Sequence, residues 1–148
     1  MEPITNVEQI ATHQFDTKIV VIIREDLETW QKLNATAFMV SGIAGTVEDV
    51  VGEPYEDGSA NCYLPMFRQP VLIFGASGPD LRRAFGRARQ REIEMAVFTD
   101  ELFITNHDAA NRAAVKAVAE PDLSLVGIAF RADRKEADKV VKGLKFHS

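Results

Sequence analysis

The run of apolar residues from Ile19 to Ile23 is the clearest structural signal in the chain. These five β-branched residues follow one another without a polar interruption, and Lys18 and Arg24 bound them on either side. A short apolar run between charged residues is typical of a strand that is buried on both faces. We therefore predict a central strand at about 18–24.

The next segment has the periodicity of a helix, at about 28–45. Its apolar residues recur at alternating steps of three and four, which is the spacing of one helical face. We expect that face to be buried, with Phe38 and Ile43 widening it and Gly45 ending the helix. The predicted buried stripe consists of Trp30, Leu33, Ala37, Val40 and Ala44.

The middle of the chain changes character at residues 52–64. There, Asp57 and Gly58 lie between Tyr55 and Tyr63. An Asp-Gly pair favours positive φ, which is the conformation of a tight hairpin turn. We predict a β-hairpin or a hairpin-like excursion in this segment.

Strands and helices alternate over the second half of the chain. Apolar runs predict strands at about 70–76, 94–99 and 123–130. Helices are predicted at about 78–91, 107–120 and 133–143. Ser77 and Asn106 are the expected N-caps of the first two of these helices, because short polar side chains accept hydrogen bonds from exposed backbone amides. The inner stripe of the first is expected to be Leu81, Ala84, Phe85 and Ala88.

This alternation predicts an α/β fold with a mixed, mostly parallel sheet of four to six strands that helices cover on both faces. The tail at 144–148 either adds a short edge strand or packs against the sheet. We expect one domain at 18–148, preceded by an N-terminal arm at 1–17.

Composition narrows the class of protein. The chain has 148 residues, of which 46% are hydrophobic and 26% charged, as in an ordinary globular domain. Its net charge of -5 argues against a general nucleic-acid binder, so RNA is not an expected partner. The single cysteine, Cys62, excludes an intrachain disulfide and fits a reducing compartment. With no signal peptide and no apolar run of spanning length, we expect a cytoplasmic protein that does not enter membranes.

Polar residues follow two of the predicted strands at the point where each strand ends. The carboxyl ends of parallel strands meet at one edge of a sheet, so segments 24–32 and 99–105 are expected to face the same crevice. Candidate substrate-binding residues at this crevice are Arg24, Asp26, Asn34, Thr36 and His107.

Some of these residues have an equally simple structural explanation. Asn34, Thr36 and Ser41 are polar residues in an otherwise apolar helix, and they either line a pocket or face solvent or a dimer partner. His107 and Asp108 either act as an acid–base pair or cap the helix that follows. Because no second histidine or carboxylate lies at ligand spacing, we predict no metal site, and no cofactor is expected.

Three further features allow both a functional and a structural interpretation. The line of Arg83, Arg87 and Arg91 either grips phosphate groups or forms the solvated face of a helix. Cys62 is interpreted as a semi-buried structural thiol, because the sequence identifies no base or positive field that would activate it. The turn at 75–78 either cradles an anion at a helix N-terminus or simply connects a strand to a helix.

Several segments together resemble the domain of unknown function 2000 family. The matching segments are KIVVIIREDL with WQKLNATAF at 18–38, PYEDGSANCYLPMFRQPVLIF at 54–74, TNHDAANRAAV at 105–115, DLSLVGIAF at 122–130 and KVVKGLKFH at 139–147. That family is in turn similar to the type II peptidyl-tRNA hydrolases. The resemblance implies a three-layer α/β/α sandwich around a mixed sheet, and a homodimer.

The resemblance also implies a catalytic group of Lys32, Asp100 and Thr105. The hydrolase has a lysine-rich, glycine-containing turn at the start of its first helix, and an Asp and a Thr after a later strand. A lysine beside an aspartate would hold a water or stabilise an oxyanion, and the threonine would orient the water. The structural alternative is a solvated lysine, an N-cap and a turn residue. The chain departs from the hydrolase in two places: the turn reads TWQK at 29–32, with one lysine and no glycine, and the helix at 106–119 has no counterpart.

We therefore expect one of two functions. The first is hydrolysis of an ester or amide on a small or nucleotide-linked substrate, which requires Lys32 and Asp100 to approach within hydrogen-bond reach or one water. The second is a non-catalytic module that binds a small molecule or peptide in the same cleft, which requires a mostly apolar pocket with few titratable groups. A third hypothesis is a purely structural dimer.

Overall fold

A computed structural model describes residues 15–148 of the chain, so most of the predicted N-terminal arm lies outside the described residues. The strands are β1 (Thr17–Arg24), β2 (Tyr55–Glu56), β3 (Cys62–Tyr63), β4 (Val71–Ala76), β5 (Met95–Thr99), β6 (Leu125–Asp133) and β7 (Lys145–Phe146). The α-helices are α1 (Thr29–Thr46), α2 (Gly78–Gln90), α3 (Asp108–Lys116) and α4 (Arg134–Val140). Short 3-10 turns at Asp100–Phe103 and Glu120–Asp122 flank α3.

Five of the strands form one mixed sheet in the order β5-β6-β1-β4-β7. Among the described strands, only β1 and β4 pair in parallel, and the other three pairs of this sheet are antiparallel. The prediction of a mostly parallel sheet is therefore wrong. The reason is that segment 100–124 stays at the edge where β5 ends, so that β6 begins with Leu125 beside Thr99 and runs back. The tail supplies β7, an edge strand beside β4.

Helices cover both faces of this sheet. The α1 helix packs on the face that carries the odd-numbered residues of β1, and α2 and α4 pack on the face that carries the even-numbered ones. Residues Ile19 to Ile23 are at most 1% exposed, which confirms a strand buried on both faces. Gly127 in β6 lets α1 approach closely, because a Cβ there would lie 2.8 Å from both the Ile22 carbonyl oxygen and the Met39 Cε.

The outward side of α1 is the main departure from the sequence prediction. The buried residues of α1 are Ala35, Met39 and Ile43. Trp30 and Leu33 were expected in the core but are 59% and 66% exposed, and Ala37 and Ala44 are exposed as well. The predicted stripe therefore faces outward. The physical reason is that α1 has apolar residues on every side and no charged residue after Lys32, so spacing alone does not identify its inner face.

The other helices follow the predicted capping with small shifts. Ser77 caps α2 by accepting a hydrogen bond from a first-turn amide at 3.2 Å, as predicted. The cap of α3 is His107 and not Asn106, because the imidazole Nδ1 accepts from a first-turn amide. Gly45 does not end α1, which continues to Thr46. The predicted core residues of α2 are all buried: Leu81, Ala84, Phe85 and Ala88.

Within residues 15–148, no helix combines the length and the apolarity that crossing a membrane requires.

The strands β2 and β3 form the predicted hairpin, with Tyr55 opposite Tyr63. Its turn differs from the predicted one, because the positive φ of 67° falls at Ala60 and not at Gly58. Cys62 lies in β3 and is exposed, so the prediction of a semi-buried thiol is wrong.

The carboxylate of Asp57 explains this longer turn. It accepts hydrogen bonds from the backbone amides of Ser59 and Asn61 at 2.8 and 3.0 Å, and from the Tyr63 hydroxyl at 2.8 Å. These contacts hold the loop in its shape and lower the pKa of Asp57 to about 2, with the Tyr63 hydrogen bond as the largest cause.

Candidate functional site

The ends of β1 and β5 meet at one edge of the sheet, as the strand directions predicted. Arg24, the last residue of β1, donates two hydrogen bonds to the carboxylate of Asp100, directly after β5, at 3.1 and 3.2 Å. Its Nη1 also donates to the carbonyl oxygen of Leu125 at 2.7 Å, and its Nε donates to Asp26 at 2.6 Å. Arg24 thus connects the ends of β1 and β5 with the start of β6.

Hydrogen bonding controls the ionisation of this network. Burial opposes the charged form of Asp100, but hydrogen bonds from Arg24 and from the Ser124 hydroxyl outweigh it and lower the pKa of the carboxyl. The hydrogen bond to Asp100 is also the largest cause that raises the pKa of the Arg24 guanidinium. Both carboxyl oxygens of Asp100 are engaged in this way. Three hydrogen bonds therefore occupy most of the acceptor sites of this carboxylate, whose side chain is 40% exposed.

Lys32 lies in a different environment. Its Nζ is 3.2 Å from Nε2 of His147, and the pair is partly buried. His147 follows β7, and its amide donates to the carbonyl oxygen of Ile73 in β4 at 2.9 Å. The strands β7 and β5 are the two opposite edges of the sheet. Lys32 contacts the residue after β7, whereas Asp100 and Thr105 follow β5. Within the part of the chain that the structure describes, no hydrogen bond or ion pair joins any two of the three predicted catalytic residues.

An open pocket of about 490 Å³ lies between α1 and the segment that follows β5, and we call it the aromatic pocket. Four rings form its wall. Trp30 meets Phe103 edge-on with centroids 5.6 Å apart, and Phe103 lies 4.9 Å from Phe98, which meets Phe38 at 6.0 Å. The polar residues of its rim are Asn34, Thr105, Asn106, His107, Asp108 and Asn111.

The rim of the aromatic pocket combines hydroxyl, amide and imidazole groups. Thr105 donates from its hydroxyl to the side-chain oxygen of Asn111. Nδ1 of His107 accepts a hydrogen bond at the start of α3, so the neutral ring carries its proton on Nε2. The side-chain amides of Asn34 and Asn106 make no hydrogen bond to any of residues 15–148. Their donors and acceptors are therefore available to a ligand.

Three of the sequence candidates meet at this pocket: Asn34, Thr105 and His107. Thr36 does not line it and is partly buried elsewhere on α1. Sequence reasoning missed the aromatic wall, because helical spacing placed the rings of α1 in the core and only polar groups were considered at 98–105. A sequence signal did exist, since Phe98 lies in β5 and Phe103 lies in the segment that follows this strand.

The arginine line on α2 is used within the protein. Arg83 forms an ion pair with Asp80, and Arg91 forms one with Glu136 at 3.1 Å. Arg87 donates to a carbonyl oxygen after α4 at 2.9 Å. These contacts favour the structural alternative over a phosphate site.

Among the described residues, no three histidine, cysteine or carboxylate side chains are grouped as a metal ion would require.

Comparison with known proteins gives a family and a close structural relative. The family model described as protein of unknown function (DUF2000) matches residues 17–148. A solved structure of a protein of unknown function, Atu0240 from Agrobacterium tumefaciens strain C58, is 44% identical to the chain, with a TM-score of 0.88. That alignment covers 91% of this chain and 100% of the other. No curated protein matches the chain.

Proposed function

The chain belongs to the DUF2000 family, and we propose that it is a module that binds a small, planar, uncharged ligand. The ligand occupies the aromatic pocket, stacks on its rings and forms hydrogen bonds with its rim. The observation that carries this proposal is the meeting of an aromatic wall with free amide groups at the edge where β1 and β5 end.

The wall of the pocket suits a flat ring. Trp30 and Phe38 are 59% and 54% exposed, so two large rings are accessible to a ligand in the pocket. Phe98 and Phe103 lie behind them and hold the two rings in position. The volume of about 490 Å³ lies within the range of about 300–1,000 Å³ that is usual for small-molecule pockets.

The rim determines the chemistry of the ligand. Side-chain amides such as those of Asn34 and Asn106 offer donors and acceptors together, which matches a ring with both kinds of group in its plane. Among residues 15–148, no lysine or arginine lines the pocket, and the one carboxylate that does, Asp108, is paired with Arg112. A phosphate group would lack a counter-charge there, so we expect a nucleobase, a nucleoside or a heteroaromatic amide.

Trp30 makes this proposal directly testable, because it is the only tryptophan of the chain. Thermal-shift screening of nucleobases, nucleosides and heteroaromatic amides is expected to give compounds that raise the unfolding midpoint. The same compounds should change the intensity or the emission maximum of Trp30 fluorescence on titration.

Asn34→Ala is expected to weaken the binding of such a compound about tenfold, because one hydrogen bond to a desolvated group is lost. Ser41→Ala is the matched control, since Ser41 lies on the same helix outside the pocket. If no compound shifts the midpoint, or if the compounds bind the Asn34 variant as tightly as the natural chain, the pocket is not a site for this class of ligand.

A second candidate function is hydrolysis of an ester or amide on a small or nucleotide-linked substrate, and the Lys32–His147 contact favours it. Nδ1 of His147 lies 2.8 Å from the main-chain oxygen of Ser148, which only accepts, so this nitrogen carries the ring proton. Nε2 then accepts from the Lys32 ammonium, which keeps two N–H donors for a developing oxyanion. This proposal includes a fold like that of type II peptidyl-tRNA hydrolase, with His147 as the neighbour of Lys32 in place of Asp100.

Turnover of a panel of aminoacyl and N-acyl-aminoacyl esters tests the hydrolytic proposal. Lys32→Gln is expected to lower the rate about 100-fold or more, as the loss of one oxyanion donor does. Lys145→Gln is the matched control, because Lys145 is an exposed lysine of the adjacent β7 strand. Equal rates for the natural chain and Lys32→Gln, or no turnover of any ester, would remove hydrolysis at this site.

A further inference from the structure

The strand β5 has an unpaired edge. It is the last strand on its side of the sheet, and among the described strands it pairs with β6 alone. Within residues 15–148, no backbone or side-chain hydrogen bond reaches its outer edge. Alternate residues of such a strand point their N–H and C=O groups outward, so β5 offers donors and acceptors to an added strand.

The sequence of β5 does not protect this edge. Natural sheets usually blunt an exposed edge with a lysine or a proline in the strand, or cover it with a helix. The five residues of β5, MAVFT, include no proline and no charge. The helix α3 contributes Val115 and Val118 to a groove beside the strand, but none of its residues is buried, so it does not pack down on the edge. An edge of this kind favours pairing with another strand.

Grooves lie on both faces of β5, and we call them the back groove and the front groove. The back groove, on the side of α2, has a volume of about 580 Å³ and includes Met95 and Val97. The front groove, on the side of α1, has a volume of about 260 Å³ and includes Ala96. The other apolar residues of the back groove are Phe85, Ile93, Val115, Val118 and Leu123. Because side chains of an extended strand alternate between two faces, an added strand would direct them in turn into the two grooves.

Carboxylates at the start of β5 determine the charge that a partner needs. Glu92 and Glu94 are exposed and line the back groove, and neither forms an ion pair with any described residue. Arg89 also lines this groove, but it is paired with Glu120 at 3.1 Å. A lysine or arginine of a partner would therefore meet two unpaired carboxylates.

We propose that β5 binds an extended peptide of another protein by strand addition. The peptide pairs antiparallel with β5, which is the more stable of the two directions. Large apolar side chains opposite Met95 and Val97 fill the back groove, and a small one opposite Ala96 faces the front groove. Lysine or arginine residues toward the carboxyl end of the peptide lie beside Glu92 and Glu94.

The peptide site is separate from the aromatic pocket. The two grooves and that pocket have no lining residue in common. The inference therefore does not depend on the ligand proposed above.

A second copy of the chain fits this edge less well than a basic peptide does. Glu92 and Glu94 precede β5, and Asp100 and Glu101 follow it. Antiparallel pairing of two β5 strands would bring the acidic start of each toward the acidic end of the other. Like charges opposite each other destabilise a strand pair, so the charges around β5 favour a partner with the opposite sign.

Fluorescence anisotropy with labelled synthetic peptides tests the proposal on the full chain. The probes have the sequence Ser-X-Thr-Leu-Lys-Ser-Lys, in which X is Phe, Leu or Val and lies opposite Val97. At least one probe is expected to bind with a micromolar dissociation constant, as is usual for a small interface.

N-methylated versions of the best probe distinguish strand addition from other contacts. One version is methylated at the odd positions and the other at the even positions. Only alternate residues of an antiparallel strand donate to one neighbour, so one version is expected to lose binding and the other to keep its affinity within about threefold.

Charge reversal in the protein tests the orientation of the peptide. Glu92→Lys with Glu94→Lys is expected to weaken the probe about tenfold, because two exposed ion pairs are lost. The same variant should gain affinity for the probe in which both lysines are replaced by glutamate, which also verifies that it folds. Glu53→Lys with Glu56→Lys is the matched control, since it changes the net charge equally at exposed positions of the hairpin segment.

Amide hydrogen exchange locates the bound peptide. The outward amides of β5 are expected to exchange more slowly when the probe is bound. The proposal is overturned if no probe binds, if both N-methylated versions bind equally well, if the charge-reversed variant keeps the original preference, or if exchange in β5 is unchanged. Self-association of the chain that the probe reverses would assign the edge to a second copy and would overturn the proposal as well.

Discussion

Replacing Gly127 by alanine is expected to destabilise the protein by about 2–3 kcal/mol. Gly127 pairs with Ile23 of β1, in the strand between β1 and β5. A Cβ at this position would lie 2.8 Å from Met39 Cε and 2.8 Å from the carbonyl oxygen of Ile22. The end of the methionine side chain can move, but β1 is fixed by pairing on both of its edges. A shift of the backbone is therefore required, which places the cost in the upper part of the range for overpacking.

Two other glycines provide matched controls. A Cβ at Gly75 would overlap the Glu25 side chain, but that side chain is exposed and can rotate away, so Gly75→Ala is expected to cost much less. At Gly86 in α2 a Cβ meets nothing within 4 Å. Because alanine has the higher helix propensity, Gly86→Ala is expected to stabilise the protein by about 0.5–1 kcal/mol.

Urea unfolding followed by far-ultraviolet circular dichroism gives the free energy of unfolding of all three variants. The measurements require one fixed protein concentration, because dimerisation would make stability depend on concentration. The three variants share one chemical change, so their order reports the surroundings of each position. A loss of under about 1 kcal/mol for Gly127→Ala, or a loss no greater than that of Gly75→Ala, would refute the reasoning.

Three further predictions concern single polar contacts. Because the folded pKa of Asp100 is lowered, its stabilising effect is present above the ordinary aspartate pKa and is lost as the pH falls toward the lowered value. Asp100→Asn should therefore remove this part of the pH dependence of the urea midpoint, and an unchanged profile would contradict the role of the Arg24 contact. His107→Ala should cost about 1 kcal/mol of local stability in α3, read from amide hydrogen exchange, whereas His107→Asn keeps a capping side chain; equal exchange in both variants would exclude the cap. Tyr63→Phe should raise the pKa of Asp57 above its value of about 2, seen by carboxyl carbon resonances in a pH titration, and no change would show that the hydroxyl is not the largest cause.

The pattern of apolar and polar residues predicted the central strand and α2 well. For each of them, only one arrangement buries all of the apolar side chains. Ile19 to Ile23 are apolar without alternation, and only a strand covered on both faces buries them all. In α2, Leu81 and Phe85 alternate with arginines, so its inner side is unambiguous. Where polar residues mark the outside of an element, the sequence determines its orientation.

Strand direction could not be predicted in the same way. The apolar run that forms β6 is compatible with either direction, because a strand buried on both faces carries no directional signal. The direction depends on whether segment 100–124 crosses the sheet or stays at the edge where β5 ends. Its short helix α3 suggested a crossover, yet the pairing of Thr99 with Leu125 shows that the chain stays at that edge.

The failed prediction for α1 still contains information about function. Helical spacing predicted that Trp30 and Leu33 are buried. Large apolar side chains favour burial whether another part of the chain or another molecule provides it. Within the chain, Gly127 and Met39 let the smaller Ala35 side of the helix take the position against the sheet. The larger apolar side chains then require cover from outside the chain. The planar ligand proposed for the aromatic pocket would supply that cover at Trp30, and the Asn34→Ala variant tests it.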